Sequence, residues 1–278
     1  MDADAEAAVE TDWAWFERFV KEHGDPGKQR LDFWRRRRSS VEGWPKFEAE
    51  FRAMRHKALF RLAVDEVMSV VHGTRHSLGN LKKECATIGG IHNFSPPVPM
   101  MYGLHLLLEQ KGAVPDWDEA LDFWFHQRPE LFWKPLGKIH GMEGLTYDQA
   151  LCRWETDAVL WRLGTTYYSW LREIHFLAVM REKYGLDLRY HFLADSEFKA
   201  DFVADKLLIE LYIKNDFYKD GPGKGRKETC KKLNPPPFKV IDIPMESEMV
   251  AGKVWLVKPD FMRQTACKLE ELGCPRIR

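Results

Sequence analysis

The sequence predicts an α/β protein in two parts: a helical, Trp-rich region over residues 1–150 and an α/β layer domain over residues 151–278. Three observations predict it. Apolar residues recur at helical spacing through the first part, a long helical pattern opens the second, and short β-patterned runs follow before a closing helix. With 278 residues, 45% hydrophobic and 30% charged, the chain is long enough for two cores and too apolar to be disordered.

In the first part, Trp13, Phe16 and Val20 recur at i, i+3 and i+7. Phe47, Phe51, Met54 and Leu59 mark a second stripe that runs on through Leu62, Val67, Val70 and Val71. Gly89–Pro99 reads as a Gly/Pro loop, and shorter helices punctuated by Pro115, Pro129 and Pro135 follow. The run Arg35–Arg38 is either a solvated face or a phosphate contact. In the second part a long helix is expected from Cys152 to Lys183, stopped by Gly185. Strands are expected at Leu188–Leu193, Phe198–Val203, Leu207–Ile213, Phe238–Ile243 and Lys253–Val257, then a helix at Asp260–Leu272.

Bases and acids both number 42, so no whole-molecule field draws the chain to nucleic acid or an anionic membrane. Any basic surface must be local. The five cysteines are odd in number and contain no CxxC pair, which argues against a disulfide scaffold and a Cys-rich zinc site. His72 and His76 have i, i+4 spacing, but no carboxylate is placed as in HExxH, so zinc is not expected. The acidic start MDADAEAAVE lacks the pattern of a secretory signal. The longest nearly apolar stretch, Val98–Leu108, is far short of the roughly 20 residues of a membrane helix. The expected setting is cytoplasmic, with no membrane partner.

Chemistry concentrates in Lys199–Lys214, which reads as a tight hairpin turning near Ala204-Asp205. An even turn sets Val203 opposite Lys206 and Asp201 opposite Leu208. Asp201 then shares a face with Glu210, Tyr212 and Lys214, diagonal to Glu210. Carboxylates on an otherwise apolar hairpin are costly unless something uses them. Three plainer alternatives stand beside this: an edge-strand Asp201, a solvated Glu210–Lys214 pair, or a face that is simply the outside of the sheet. On the preceding helix, Glu173 lies within an apolar stripe of Trp170, Phe176, Leu177 and Met180. A carboxylate so placed calls for a cationic partner.

Together SWLREIHFLAVMREKYGLDLRYHF, FKADF and LLIELY resemble the PD-(D/E)XK nuclease superfamily. The segments ELYIKND, GKGRKETCKKL and FKVIDIP are similar to its branch of very-short-patch repair endonucleases and RAP modules. The resemblance spans about residues 165–257 and rests on the order of its elements more than on any one short motif. It implies a mixed sheet flanked by helices and a Mg2+- or Mn2+-dependent endonuclease acting on DNA rather than RNA. Defence, repair or mobile-element processing would be its setting. Asp201 and Glu210 would bind the metal with the carbonyl of Leu211, and Glu173 would complete or support the site. The chain departs from the pattern at the lysine. Tyr212 stands two residues after Glu210, where Glu-x-Lys is common, and the lysine comes at Lys214. Lys214 has shifted by about 6.8 Å along the strand, or a later lysine replaces it, or the site is inactive and the module only binds nucleic acid or scaffolds a complex.

Phosphodiester hydrolysis suits such a set. Carboxylates hold one or two hard cations, and an ammonium shares developing charge. From Lys219 to Lys239, seven bases face two acids in a Gly-punctuated stretch. Lys219, Lys224, Arg226, Lys227, Lys231 and Lys232 are the expected nucleic-acid contacts, with a solvated loop as the plainer alternative. Residues 1–150 would bind substrate or a protein partner.

Overall fold

The computed structural model describes residues 10–75, 78, 81, 84, 88–92, 94, 96, 98–139, 146, 149, 153–213, 235–251 and 254–277. Helices α1 (Trp13–Glu22), α2 (Gly24–Arg38), α3 (Trp44–Ala53) and α4 (Val64–Gly73) open the chain. Then come α5 (Gly89–His92), α6 (Met100–Lys111), α7 (Trp117–Asp122), α8 (Trp133–Ile139) and the long α9 (Arg153–Glu182). A short α10 (Phe192–Phe198) precedes strands β1 (Phe202–Ala204), β2 (Leu207–Ile213), β3 (Lys239–Met245), β4 (Ser247–Ala251) and β5 (Val254–Val257). Helix α11 (Pro259–Glu271) closes the fold. Helices with two small sheets give the α/β class. No helix among the described residues is long and apolar enough to cross a membrane.

Two compact units divide the chain, and the division falls inside α9, between His175 and Phe176. One unit comprises residues 1–61, 176–248 and 257–278. The N-terminal helices therefore pack with the β1–β3 sheet, although the sequence pattern changes near residue 150. Aromatic contacts make this core: Phe16 stacks on His191 at 4.7 Å, Phe19 meets Phe198 edge-on at 5.1 Å, and His23 stacks on Phe238 at 3.7 Å. Polar contacts add direction. Arg30 pairs with Glu197 at 3.2 Å, and Lys206 pairs with Glu22.

Gly27 marks the close approach of α1 and α2. A Cβ there would lie 2.5 Å from the Val20 carbonyl oxygen and 2.6 Å from His23 Cβ, atoms that cannot swing aside. Gly27→Ala should gain helix propensity but lose about 1–3 kcal/mol by overpacking. Urea denaturation reads the net loss. A variant as stable as the parent would show that the two helices can separate at no cost.

The other unit comprises residues 62–175 and 249–256. It buries Tyr102, Trp117, Phe123, Trp124, Phe132, Tyr167 and Trp170 almost completely. The Tyr167 hydroxyl donates to the Pro115 carbonyl at 2.8 Å, and burial raises its pKa. Asp116 and Glu119 form a reciprocal capping box at the start of α7.

Several expectations hold. Helix α9 ends at Glu182 and the chain turns away at Gly185, whose φ of +65° is the left-handed turn glycine supplies, with the Leu186 N–H closing back on Met180 O at 3.0 Å. Strands β2, β3 and β5 and helix α11 fall where expected, and α1 buries Trp13, Phe16, Phe19 and Val20. Others are corrected. The long stripe from Phe47 is broken by a 3-10 turn at Leu59–Arg61, which separates α3 from α4. The expected strand at Leu188–Leu193 reduces to one bridge between Arg189 and Val203, because His191 caps α10 by accepting from Leu193 N–H at 3.2 Å. Lys199 ends α10 at φ +60°, so β1 starts only at Phe202. Strand β4 carries no apolar alternation strong enough to announce it.

Candidate active site

β1, β2 and β3 form one sheet in that order, with β1–β2 antiparallel and β2–β3 parallel. Alternation along β2 sends Leu207, Ile209 and Leu211 to one face and Leu208, Glu210 and Tyr212 to the other. On β3, Ile241 and Ile243, level with Ile209 and Leu211, are buried, as is Met245, while Lys239, level with Leu207 at the strand's start, is exposed. Val240, Asp242 and Pro244, level with the second set, are half-buried. One face is thus apolar core, and the other carries the carboxylates.

The hairpin register differs from the expected one. Phe202 pairs with Ile209, Val203 with Leu208 and Ala204 with Leu207, leaving Asp205-Lys206 as a two-residue loop. Asp205 takes φ +53°, a left-handed conformation that Asp tolerates better than the Ala at position 204. The turn is even, as expected, but shifted by one residue. Continuing the register beyond the ladder sets Asp201 directly opposite Glu210 rather than diagonal to it. Val203 exchanges both backbone bonds with Arg189 at 2.8 Å, so it makes none with Leu208. Asp201 itself precedes β1, and the paired ladder ends at Phe202 with Ile209.

Asp201 has a second task. Its Oδ2 accepts from the Leu211 N–H at 2.5 Å, where a backbone carbonyl of β1 would otherwise stand. The Leu211 carbonyl leaves the strand on the same edge as its N–H, so it too is directed toward Asp201. Both acids are buried, Asp201 at 7% and Glu210 at 2% exposure.

Sequence reasoning missed Asp242. The parallel register pairs it with Glu210, one strand spacing away on the same face, so the two acids form a row across β2 and β3. Among the described residues, Asp242 Oδ1 is sealed from water with no hydrogen-bond partner. An acid between Ile241 and Ile243 was the available signal. The row is not a closed cage: among the described residues no group of three or more His, Cys, Asp or Glu side chains is assembled to hold a metal ion.

Glu173 is half-buried on α9, in the unit that does not contain the sheet. Lys214 and the expected nucleic-acid contacts Lys219, Lys224, Arg226, Lys227, Lys231 and Lys232 lie outside the described residues. The structure sets Glu210 beside Asp242 across β2 and β3, and buries Asp201 just before β1.

Its contact with Leu211 makes Asp201→Ala an impure probe of chemistry. It should cost about 1–3 kcal/mol by stranding a buried N–H, whereas Asp201→Asn keeps an acceptor and should cost less. Urea denaturation of the two variants checks this. Equal stability of both would show that the bond to Leu211 contributes nothing.

No family model matches the chain, and comparisons with curated proteins and with solved structures give no match either.

Proposed function

We propose that this protein is a divalent-metal-dependent nuclease that hydrolyses phosphodiester bonds, with DNA as substrate. The observation that carries the reading is two buried carboxylates close in the chain's pairing, Asp201 just before β1 and Glu210 on β2, with Asp201 bonded to Leu211 N–H next to Glu210. A buried pair of acids is costly to keep ionised, and a hard cation with oxygen ligands relieves that cost. The orphaned Oδ1 of Asp242 beside them fits the same donor chemistry.

Asp201 and Glu210 would hold Mg2+ or Mn2+ with the Leu211 carbonyl, and Asp242 would flank them. A cation bound there supplies Lewis acidity to a phosphoryl oxygen and eases deprotonation of an attacking water. Asp201 keeps the end of the hairpin closed through Leu211, which fixes the two carboxylates relative to each other. Resemblance to the PD-(D/E)XK superfamily adds Lys214 as the ammonium that shares developing charge.

The test is cleavage of labelled single- and double-stranded DNA and RNA by the purified chain in Mg2+, Mn2+ and EDTA. Cleavage that requires the divalent ion and fails in Asp201→Asn and Glu210→Gln supports the reading. Cleavage retained in both variants overturns it.

A second reading has its own observation. Tyr212 occupies the position where Glu-x-Lys places the lysine, on the Glu210 face of β2. A chain without its ammonium would bind nucleic acid without cutting it. Salt-sensitive binding with no turnover under any divalent ion would favour this reading over hydrolysis.

A further inference from the structure

We infer that the outward face of α2 is a second nucleic-acid contact surface, with Arg36 and Arg37 taking phosphates and Phe33 offering its ring to a base or sugar. The inference takes its partner class from the proposed nuclease reading but uses none of the carboxylates.

The helix carries six bases (Lys28, Arg30, Arg35, Arg36, Arg37, Arg38) against two acids (Asp25, Asp32). Its inward side is spoken for. Trp34 and Gly27 are buried, Arg30 pairs with Glu197 at 3.2 Å, Arg35 pairs with Glu48 at 3.4 Å, and Arg38 is partly buried within the field of Glu197. Arg36 and Arg37 are exposed and make no ion pair among the described residues. A solvated C-terminal turn gains from cations near the helix dipole. Four consecutive arginines exceed that need, because neighbouring cations repel.

Phe33 is 45% exposed, one of four exposed large apolar side chains among the described residues. At 100° per residue, Gln29, Arg30, Arg36 and Arg37 all lie within about 60° of it, and no acid falls inside that arc. The Arg30 guanidinium stands 5.6 Å from the ring centroid and steadies it. A cationic face around one exposed ring fits a strand's phosphates and a base. Guanidinium forks match phosphate oxygens two at a time. An anionic membrane fits less well, since a helix lying in lipid needs an apolar face and α2 has turned Trp34 inward.

The experiment uses the intact chain in EDTA, so that hydrolysis plays no part. Fluorescence anisotropy follows binding to a fluorescein-labelled single-stranded DNA and to its duplex over a range of salt. The double variant Arg36→Gln/Arg37→Gln should bind about tenfold or more weakly, and its log–log salt slope on duplex should shrink by about two, near 0.9 per lost phosphate contact. Phe33→Ala should weaken single-strand binding about fivefold or more and leave the salt slope alone. These side chains are exposed, so thermal midpoints should not move. Unchanged affinity and slope in the double variant overturn the inference. So does absence of DNA binding by the parent chain, or binding to phosphatidylserine vesicles that the double variant loses while DNA binding stays intact. Loss of cleavage with α2-dependent binding preserved would count against the nuclease reading alone.

Discussion

Glu210→Gln is expected to lower divalent-dependent cleavage by at least about a hundredfold. The amide keeps the shape and the hydrogen-bonding capacity of the acid and removes only its charge. At 2% exposure, that charge sits where desolvation is most costly. If its purpose is to ligate a cation, activity disappears with the charge. Were Glu210 the anion of a buried ion pair, Gln would strand its partner and cost about 3–5 kcal/mol. Thermal denaturation in EDTA, run beside the cleavage assay, separates the two. Added Mn2+ should raise the midpoint of the parent and not of the variant, because a ligand that binds only the folded state stabilises it.

Acid should destabilise the unit that holds the sheet, and His56 should account for a measurable share. Burial pulls the His56 pKa down from 6.5 to about 3. Its Nε2 accepts from the Phe192 N–H at 3.5 Å, and its ring meets His191 edge-on at 5.4 Å. Above pH 6.5 both folded and unfolded chains hold this imidazole neutral, so it adds no pH dependence. Below 6.5 the unfolded chain takes up the proton and the folded chain does not, until the pH nears 3. Stability therefore falls with pH across that window, by about 1.4 kcal/mol per unit from this group alone. His56→Gln cannot titrate. Urea denaturation at pH 7.5 and pH 5 should show the parent losing about 2 kcal/mol more than the variant. Equal losses would mean that His56 is protonated in the folded chain or hydrated in a way its full burial does not suggest.

Local features were legible in the sequence. Gly185 ended the long helix, and the alternation in Leu207–Ile213 made a strand. What failed depended on choices between near-equal local options. The loop could sit at Ala204-Asp205 or Asp205-Lys206, and the left-handed preference of Asp205 decided it. Phe192–Phe198 is short enough to read as strand or helix, and His191 as its cap decided that. Asp242 was illegible for a different reason. Its position beside Glu210 follows from a parallel pairing between strands more than 20 residues apart in the chain, and no local pattern encodes that register. The packing of α1–α3 with the sheet is equally non-local, made by contacts such as His23 with Phe238.

Anomalous diffraction from crystals soaked in Mn2+ tests the central claim most directly. The account predicts a peak on the polar face of the β1–β3 sheet, within about 2.2 Å of carboxylate oxygens of Asp201 and Glu210 and absent in Glu210→Gln. Mn2+ bound elsewhere, with those two carboxylates left without it, would contradict the account.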